Sequence, residues 1–206
     1  MRTLPMPLAV ALATLPLLTS ACSNPDNLVV GGISATSTQP VAIINNVQSA
    51  ISGVATVYDS HGNKTTQQLS VIALSGNPGL CAQLAAHPDY FRNAPETYVT
   101  VVLFAPPDRV GTFYIGAGAG VGGEVIAADG PALDGGTPAD AGTLYPTTPY
   151  PAAQGQIDFQ QFDVRSPGQA TGNFDIIVGD AIGGGHEYYG RFKTTVCDAL
   201  GAAMVP

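Results

Sequence analysis

The chain has 206 residues, of which only 11% are charged, and 15 acidic against 7 basic side chains give a formal net charge of −8. This balance argues against a nucleic-acid-binding surface, which needs clustered Lys and Arg, and against a surface that adheres to anionic lipid. The 25 Gly, the 17 Pro and the lack of Trp are typical of an exported β-rich domain, and the length suits a single one.

Residues 1–21 have the pattern of a bacterial export signal that ends at a lipidation site. Arg2 supplies a positive charge, residues 8–18 are mostly apolar, and small residues precede Cys22. The apolar run is shorter than the ~20 residues that cross a bilayer, so it predicts cleavage and not a membrane span. In a lipoprotein precursor a peptidase cuts before such a cysteine, which then carries diacylglycerol and an acyl chain such as palmitate. The alternative is ordinary cleavage after Ala21 without a lipid.

The number of cysteines supports lipidation of Cys22. The chain has three, and an odd number in an exported protein leaves one thiol to explain. If Cys22 carries the lipid, Cys81 and Cys197 remain, and an oxidising compartment allows them to form a disulfide. The alternative for this pair is two buried free thiols.

The polar residues after Cys22 predict how the protein is held at the membrane. Residues 22–40 are expected to form a polar tether between the lipid and one β-rich domain over residues 41–206. The partner predicted at this end is the membrane itself, reached through the N-terminal lipid. Ser23 stands where an Asp would favour the inner membrane, so the sequence favours the outer membrane of a bacterial envelope.

The first half of the domain predicts strands around one short helix. Leu80 and Leu84 lie on one side of a helix predicted over residues 80–92, and Pro88 should end its first segment at His87. Strands are predicted over 41–57, 67–75 and 97–105, with a hairpin turn at 61–63.

The second half continues with strands, interrupted by a long loop rich in Gly and Pro. The loop is predicted over residues 129–148 and, at this length, is expected to display any binding groups. Gly190 is expected to mark a bulge in the last strand. The strands are predicted over 111–115, 123–127, 155–163, 171–178 and 187–196. Many short strands with one helix predict an antiparallel β-sandwich or open barrel.

The end of the chain resembles a group of uncharacterised envelope lipoproteins from Gram-negative bacteria. The similarity lies in Gly172-Asn173-Phe174-Asp175, in Tyr189-Gly190-Arg191-Phe192 followed by Cys197, and in Gly111-Thr112-Phe113-Tyr114. It also includes a cysteine, Cys81, after an apolar strand. The resemblance covers residues 69–197 and implies an exported β-sandwich with one disulfide. It brings no known activity with it.

No residue pattern predicts catalysis, a metal or a cofactor. Gly118, Gly120 and Gly123 match G-x-G-x-x-G, but no helical stretch follows, so a loop between strands is the better interpretation. The three histidines, His61, His87 and His186, lack metal-ligand spacing and are expected to be solvent-exposed. The nucleophile motif G-x-S-x-G is absent from the sequence.

Two weaker possibilities concern binding. Carboxylates could gather around Ca²⁺, either Asp129, Asp134 and Asp140 or Asp175, Asp180 and Glu187, but neither spacing matches a calcium loop. A group of tyrosines could form a contact surface for carbohydrate or peptide, although packing in a Trp-free domain is the simpler interpretation. These are Tyr145, Tyr150, Tyr188 and Tyr189.

The sequence therefore favours a lipid-anchored envelope domain that binds or scaffolds, without catalysis, with an envelope protein as a possible partner. One alternative is an envelope hydrolase that acts on wall or surface polymers, which a deep polar pocket would indicate. The other is a structural subunit of an envelope complex, which a large exposed apolar patch would indicate.

Overall fold

The structure, a computed structural model, describes residues 27–32, 46–58, 64–94, 98–107, 109–116, 120–128, 145–163, 167–179 and 185–203. In these ranges a helix α1 (Leu80–Ala86) and a 3-10 helix (Asp198–Gly201) accompany the strands. The strands are β1 (Leu28–Gly32), β2 (Ser49–Tyr58), β3 (Lys64–Ser75), β4 (Asn93–Ala94), β5 (Tyr98–Ala105), β6 (Gly111–Ile115), β7 (Gly122–Ala128), β8 (Tyr145–Phe162), β9 (Ala170–Val178), β10 (His186–Lys193) and β11 (Thr195–Val196).

The strands form one curled, open sheet with the shape of a half-barrel. Its order is β1-β10-β9-β8-β7-β5-β3-β2-β11, while β4 and β6 each pair with β8 outside this path. All the pairs are antiparallel except that of β11 with β2. This architecture confirms the prediction of a mainly β, antiparallel sandwich or open barrel with one short helix.

The long strand β8 joins two halves of the sheet. Residues 147–151 of β8 pair with β7, whereas residues 152–162 pair with β9 and residues 155–159 also pair with β6. We call the part formed by β7, β5, β3, β2 and β11 the β5 half. The part formed by β6, the second portion of β8, β9, β10 and β1 is the β9 half. The register of β8 against β9 shifts between Ala152 and Gln154, close to where β8 passes from one half to the other.

The main core lies between the two halves. Alternate residues of β3 and β5 in one half, and of β9 and β10 in the other, are buried in one cluster, as expected for strands with two different faces. Phe159 of β8 lies at its centre and makes edge-to-face contacts with Phe113, Phe162 and Phe192. Because the inner face of every one of these strands is apolar, the register of the sheet is strongly specified.

A second cluster covers the outer face of the β5 half. Leu80 and Leu84 of α1 pack there with Tyr90, Phe91 and Leu200 against alternate residues of β2, β3 and β5. The disulfide Cys81–Cys197 joins α1 to the chain just after β11, with Cα atoms 5.7 Å apart and a sequence separation of 116. The predicted pairing of these cysteines, which tie the helix to the end of the last strand, is confirmed.

Helix α1 matches the first segment of the predicted helix, whereas residues 88–92 of that prediction form turns and not helix. His87, at the C-cap, has φ −134° and ψ 87°, outside the helical region, because a residue before proline avoids the helical conformation. The strands predicted over 67–75, 97–105 and 171–178 agree with β3, β5 and β9. The predicted hairpin turn at 61–63 and residues 41–45 of the first predicted strand lie outside the described residues.

Four predictions about the strands are corrected. Residues 145–148 belong to β8, not to the predicted loop, because residues 145–146 pair with β4 and residues 147–148 pair with β7. The last strand is divided at Thr194 into β10 and β11, which pair in different halves of the sheet. Gly190 marks no bulge, since the register of β10 against β9 is continuous there; a Cβ at Gly190 would instead collide with the carbonyl oxygen of Leu28.

Strand β1 is the fourth correction, because it lies within the predicted tether of residues 22–40. Five residues, Leu28–Gly32, pair with β10, and Val29 is buried in the main core. The apolar residues 28–30 allow this segment to pair with β10 and to bury Val29, so the domain includes part of the predicted tether. In the described parts of the chain, no helix has the length and apolar character needed to cross a membrane.

Candidate functional site

The outer face of the β9 half carries a row of side chains in register across four strands. Tyr114 of β6 is paired with Gln156 of β8, Gln156 with Asp175 of β9, and Asp175 with Tyr189 of β10. Directly paired residues project from the same face of a sheet, so the four side chains lie side by side. The two tyrosines stand at the ends of the row, three strand spacings or about 14 Å apart.

Both tyrosines are open to solvent. Tyr114 is 59% exposed and Tyr189 is 45% exposed, although each is flanked along its strand by residues of the core. The other large apolar side chains that are exposed in the described residues are Val110, just before β6, and Leu28 on β1. All four therefore lie on or beside the β9 half, and not on the helix-covered side of the protein.

A shallow groove of about 390 Å³ begins at Tyr114 and ends at Glu187, beside Tyr189 on the same strand, which does not itself line the groove. Its floor contains amide and carboxylate side chains, of which Asp175 is half-buried and Gln156 exposed. It is lined by Tyr114, Gln154, Gly155, Gln156, Asp175, Ile177 and Glu187.

Gly155 lies in the groove lining, where the backbones of β8 and β9 come close together. Its φ of +142° is rarely adopted by residues with a side chain, and it directly follows the register shift of β8. A Cβ at this position would collide with the carbonyl oxygen of Asp175 and lie 2.7 Å from the Cα of Ile176. The missing side chain thus lets the backbones of β8 and β9 approach closely beneath the groove.

The groove is acidic at one end. Asp175 and Glu187 lie on adjacent strands, two register positions apart on the same face, and none of the seven lining residues is Lys or Arg. The next row of the same face contains Asp158, which accepts a hydrogen bond of 3.0 Å from the hydroxyl of Thr112, and also Arg191. Groups that can donate and accept hydrogen bonds therefore continue along the face beyond the groove.

The predicted tyrosine group is divided by the structure. Tyr189 is on the groove face, but Tyr188 is buried in the main core and Tyr150 packs against that core. Burial, and secondly the nearby Tyr150 phenol, raise the pKa of Tyr188 to about 12, so this phenol stays protonated and structural. Tyr145 begins β8, on the segment that pairs with β4.

The other candidate residues do not assemble into a site within the described ranges. His186 was expected to be solvent-exposed but is only 5% exposed, because its strand position faces the interior. His87 is half-buried after α1, and Gly123 lies in β7 and not at the start of a helix, which the dinucleotide fingerprint would need. No group of three or more metal-ligating side chains occurs in the described residues. Cys22, His61, Gly118, Asp129, Asp134, Asp140 and Asp180 lie outside them.

One buried carboxylate is separate from the groove. Glu124 of β7 is 7% exposed, its cross-strand neighbours are Val102 and Pro151, and its Oε1 atom has no hydrogen-bond partner. Burial raises its pKa from 4.5 to about 7. The apolar face of the β5 half surrounds this carboxyl group, which favours its protonated form.

Sequence reasoning missed Tyr114, Gln154 and Gln156. Alternation within residues 111–115 and 155–163 places Tyr114 and Gln156 on the faces opposite Ile115 and Ile157, so local periodicity contained part of the signal. Periodicity does not specify that β6 pairs with β8 across 40 residues of chain, which alone brings these side chains together.

Searches of family models, curated proteins and solved structures find no match to this chain.

Proposed function

We propose that this protein is a lipid-anchored binding domain of the bacterial envelope and that its binding site is the groove together with the adjacent Tyr189. The observation that carries the binding function is the pair of exposed tyrosines at the two ends of a polar row. Exposed aromatic side chains lose few rotamers on binding and offer an apolar ring with a polar tip, so they are favoured at contact surfaces. The rigid sheet beneath holds them at a fixed separation.

The anchor is proposed from the sequence pattern around Cys22. The first described residue is Asn27, whose side chain accepts a hydrogen bond from the backbone N–H of Lys193, so the domain begins a few residues after the lipidation site. A lipid on Cys22 would therefore hold the domain close to the membrane surface. The outer membrane as its location, and membership of the lipoprotein group that the chain resembles, are parts of the same proposal.

The anchor is tested by Cys22→Ser with Ser23→Ala as the matched control. We expect Cys22→Ser to release the domain into the soluble fraction or to leave the precursor uncleaved, because serine cannot form the thioether. Ser23→Ala should fractionate with membranes like the wild type. A correctly cleaved Cys22→Ser protein that still fractionates with membranes would show that the lipid anchor is not used.

The binding site is tested in cells with a photo-crosslinking side chain at Gln156, in the middle of the row. We expect covalent adducts with envelope material at this position and their loss when Tyr189→Ala is added. The control position is Ala85, exposed on α1 at the opposite side of the molecule. Equal adducts at positions 85 and 156, or none at 156, would place the binding surface elsewhere.

The segment 129–148 stays a second predicted contact region. Residues 129–144 lie outside the described residues, so its contribution is tested by replacing these sixteen alone, which leaves β8 intact. If adducts at Gln156 persist in that variant, the groove binds without the segment.

A further inference from the structure

We propose that the ligand of this site is an uncharged glycan chain that runs across the strands from Tyr114, in the groove, to Tyr189 beside it. This inference rests on the proposed binding function and specifies the chemical class of its ligand. Three properties of the groove lead to it: the separation of the tyrosines, the chemistry of the floor and the absence of free backbone groups.

The separation of the tyrosines suits a ligand with repeated flat, weakly apolar faces. A sugar ring presents such a face through its C–H groups, and a tyrosine ring can stack on it while the phenol hydroxyl bonds to a hydroxyl of the sugar. The distance of about 14 Å across three strand spacings is the length of a short oligosaccharide. The groove is shallow and open, so the interior of a long chain can lie in it as well as an end.

The floor of the groove offers hydrogen bonds of both kinds. Gln154 and Gln156 have amides that donate and accept, and Asp175 and Glu187 have carboxylates that accept. Neighbouring hydroxyls of a sugar ring, or an N-acetyl group, need this mixture of donors and acceptors. A carboxylate that accepts from two hydroxyls forms stronger hydrogen bonds than a neutral acceptor does.

The charge of the groove selects against anionic polymers. Its two carboxylates are not matched by any basic residue in the lining, and the whole chain has a formal net charge of −8. Phosphorylated or sulfated polymers would be repelled, since they bind through clusters of Lys and Arg. An uncharged glycan meets no such penalty.

The position of the groove in the sheet selects against an extended peptide. Such peptides gain much of their affinity by adding a strand to a free sheet edge. Around the groove, β8 pairs on both sides with β6 and β9, and β9 pairs on both sides with β8 and β10. At Gln156 and Asp175 the floor therefore presents side chains without free backbone groups, which suits a ligand that forms its hydrogen bonds with side chains.

The test measures binding of the purified full-length protein to two neutral probes and one anionic probe by calorimetry. The neutral probes are N-acetylated chito-oligosaccharides and cello-oligosaccharides, and the anionic probe is dextran sulfate. We expect a neutral probe to bind, dextran sulfate not to bind, and Tyr114→Ala or Tyr189→Ala to weaken binding about tenfold, in line with the loss of a buried aromatic contact. Tyr189→Phe should keep most of the affinity.

Val110→Ala is the matched control, because Val110 is 64% exposed next to β6 but belongs neither to the groove lining nor to the row that contains Tyr114 and Tyr189. It should bind like the wild type. Failure of both neutral probes, binding of dextran sulfate, or binding that survives both tyrosine-to-alanine changes would each overturn the glycan assignment. If a neutral probe fails while adducts at Gln156 still depend on Tyr189, the groove is a binding site for another ligand class, so the two proposals fail separately.

Discussion

The hydroxyl of Thr194 lies 2.8 Å from the hydroxyl of Ser52, although 142 residues of chain separate them. Both side chains are buried, and the Thr194 hydroxyl also accepts a hydrogen bond of 3.2 Å from the backbone N–H of Ala170. Ser52 belongs to β2 in the β5 half, and Ala170 to β9 in the β9 half. Thr194, placed between β10 and β11, therefore links the two halves at the point where the chain crosses between them.

Thr194→Val should lower the free energy of unfolding by about 1–3 kcal/mol. Valine has nearly the same shape as threonine, so the change creates little cavity. It does remove the hydroxyl, and it therefore leaves the buried Ser52 hydroxyl and the backbone N–H of Ala170 without this partner. Urea denaturation measures the loss. The matched control is Thr195→Val, since Thr195 is the next residue and is exposed; it should change the stability by less than about 0.5 kcal/mol. Equal effects of the two changes would contradict the role given to Thr194.

The disulfide should contribute about 2–5 kcal/mol to stability, because it closes a loop with a sequence separation of 116 and so restricts the unfolded chain. The double change Cys81→Ala with Cys197→Ala should lower the urea midpoint by a corresponding amount. Chemical reduction of the wild type should produce a similar shift. Digestion of the unreduced protein should yield one peptide pair joined through these cysteines, and two freely alkylated thiols in the native protein would contradict the pairing.

Gly155→Ala should destabilise the protein by about 2 kcal/mol or more. Alanine is strained at a φ of +142°, and its Cβ would collide with the carbonyl oxygen of Asp175. The matched control is Gly122→Ala on β7, where a Cβ meets only Phe104 at 3.6 Å and the backbone angle is ordinary. Thermal unfolding measures the stability of both variants, and the midpoint of Gly155→Ala should be the lower of the two. If Gly155→Ala is as stable as Gly122→Ala, the close approach of β8 and β9 does not contribute to the stability of the fold.

Local patterns were sufficient to predict most of the strands, the helix and the disulfide. Buried alternation at Phe174, Ile176 and Val178 is a property of a few neighbouring residues, and Pro88 limits α1 through its own geometry. The length of β8 was underestimated because prolines at 146, 149 and 151 favour a loop. In the structure they occupy a strand that changes partners, a context that local composition does not contain.

The candidate site depends on long-range pairing, which periodicity cannot supply. Tyr114 and Tyr189 are 75 positions apart, and only the strand order β6-β8-β9-β10 places them at the ends of one row. Sequence reasoning grouped Tyr188 with Tyr189 because they are neighbours. Adjacent residues of a strand face opposite sides, so one is in the core and the other is on the groove face.

Glu124 predicts a pH dependence of stability whose sign follows from burial. Its carboxyl pKa is about 7 in the folded protein against 4.5 as a reference for the unfolded chain. Between these values the folded state holds more protons than the unfolded state, so the free energy of unfolding falls as pH rises. The contribution of Glu124 is fully present below pH 4.5 and is lost once pH exceeds about 7, a change of about 3 kcal/mol at most.

Glu124→Gln should remove this dependence, because the amide fits the same space and does not ionise. Above pH 7 the variant should be more stable than the wild type by about 1–3 kcal/mol, and below pH 4.5 the two should be nearly equal. Urea denaturation from pH 4 to pH 8 measures both curves. Glu187→Gln is the control, since Glu187 is exposed and its removal should leave the slope of the wild type unchanged. If Glu124→Gln keeps the same slope, the carboxyl group is solvated in the native protein, and the pH dependence arises elsewhere.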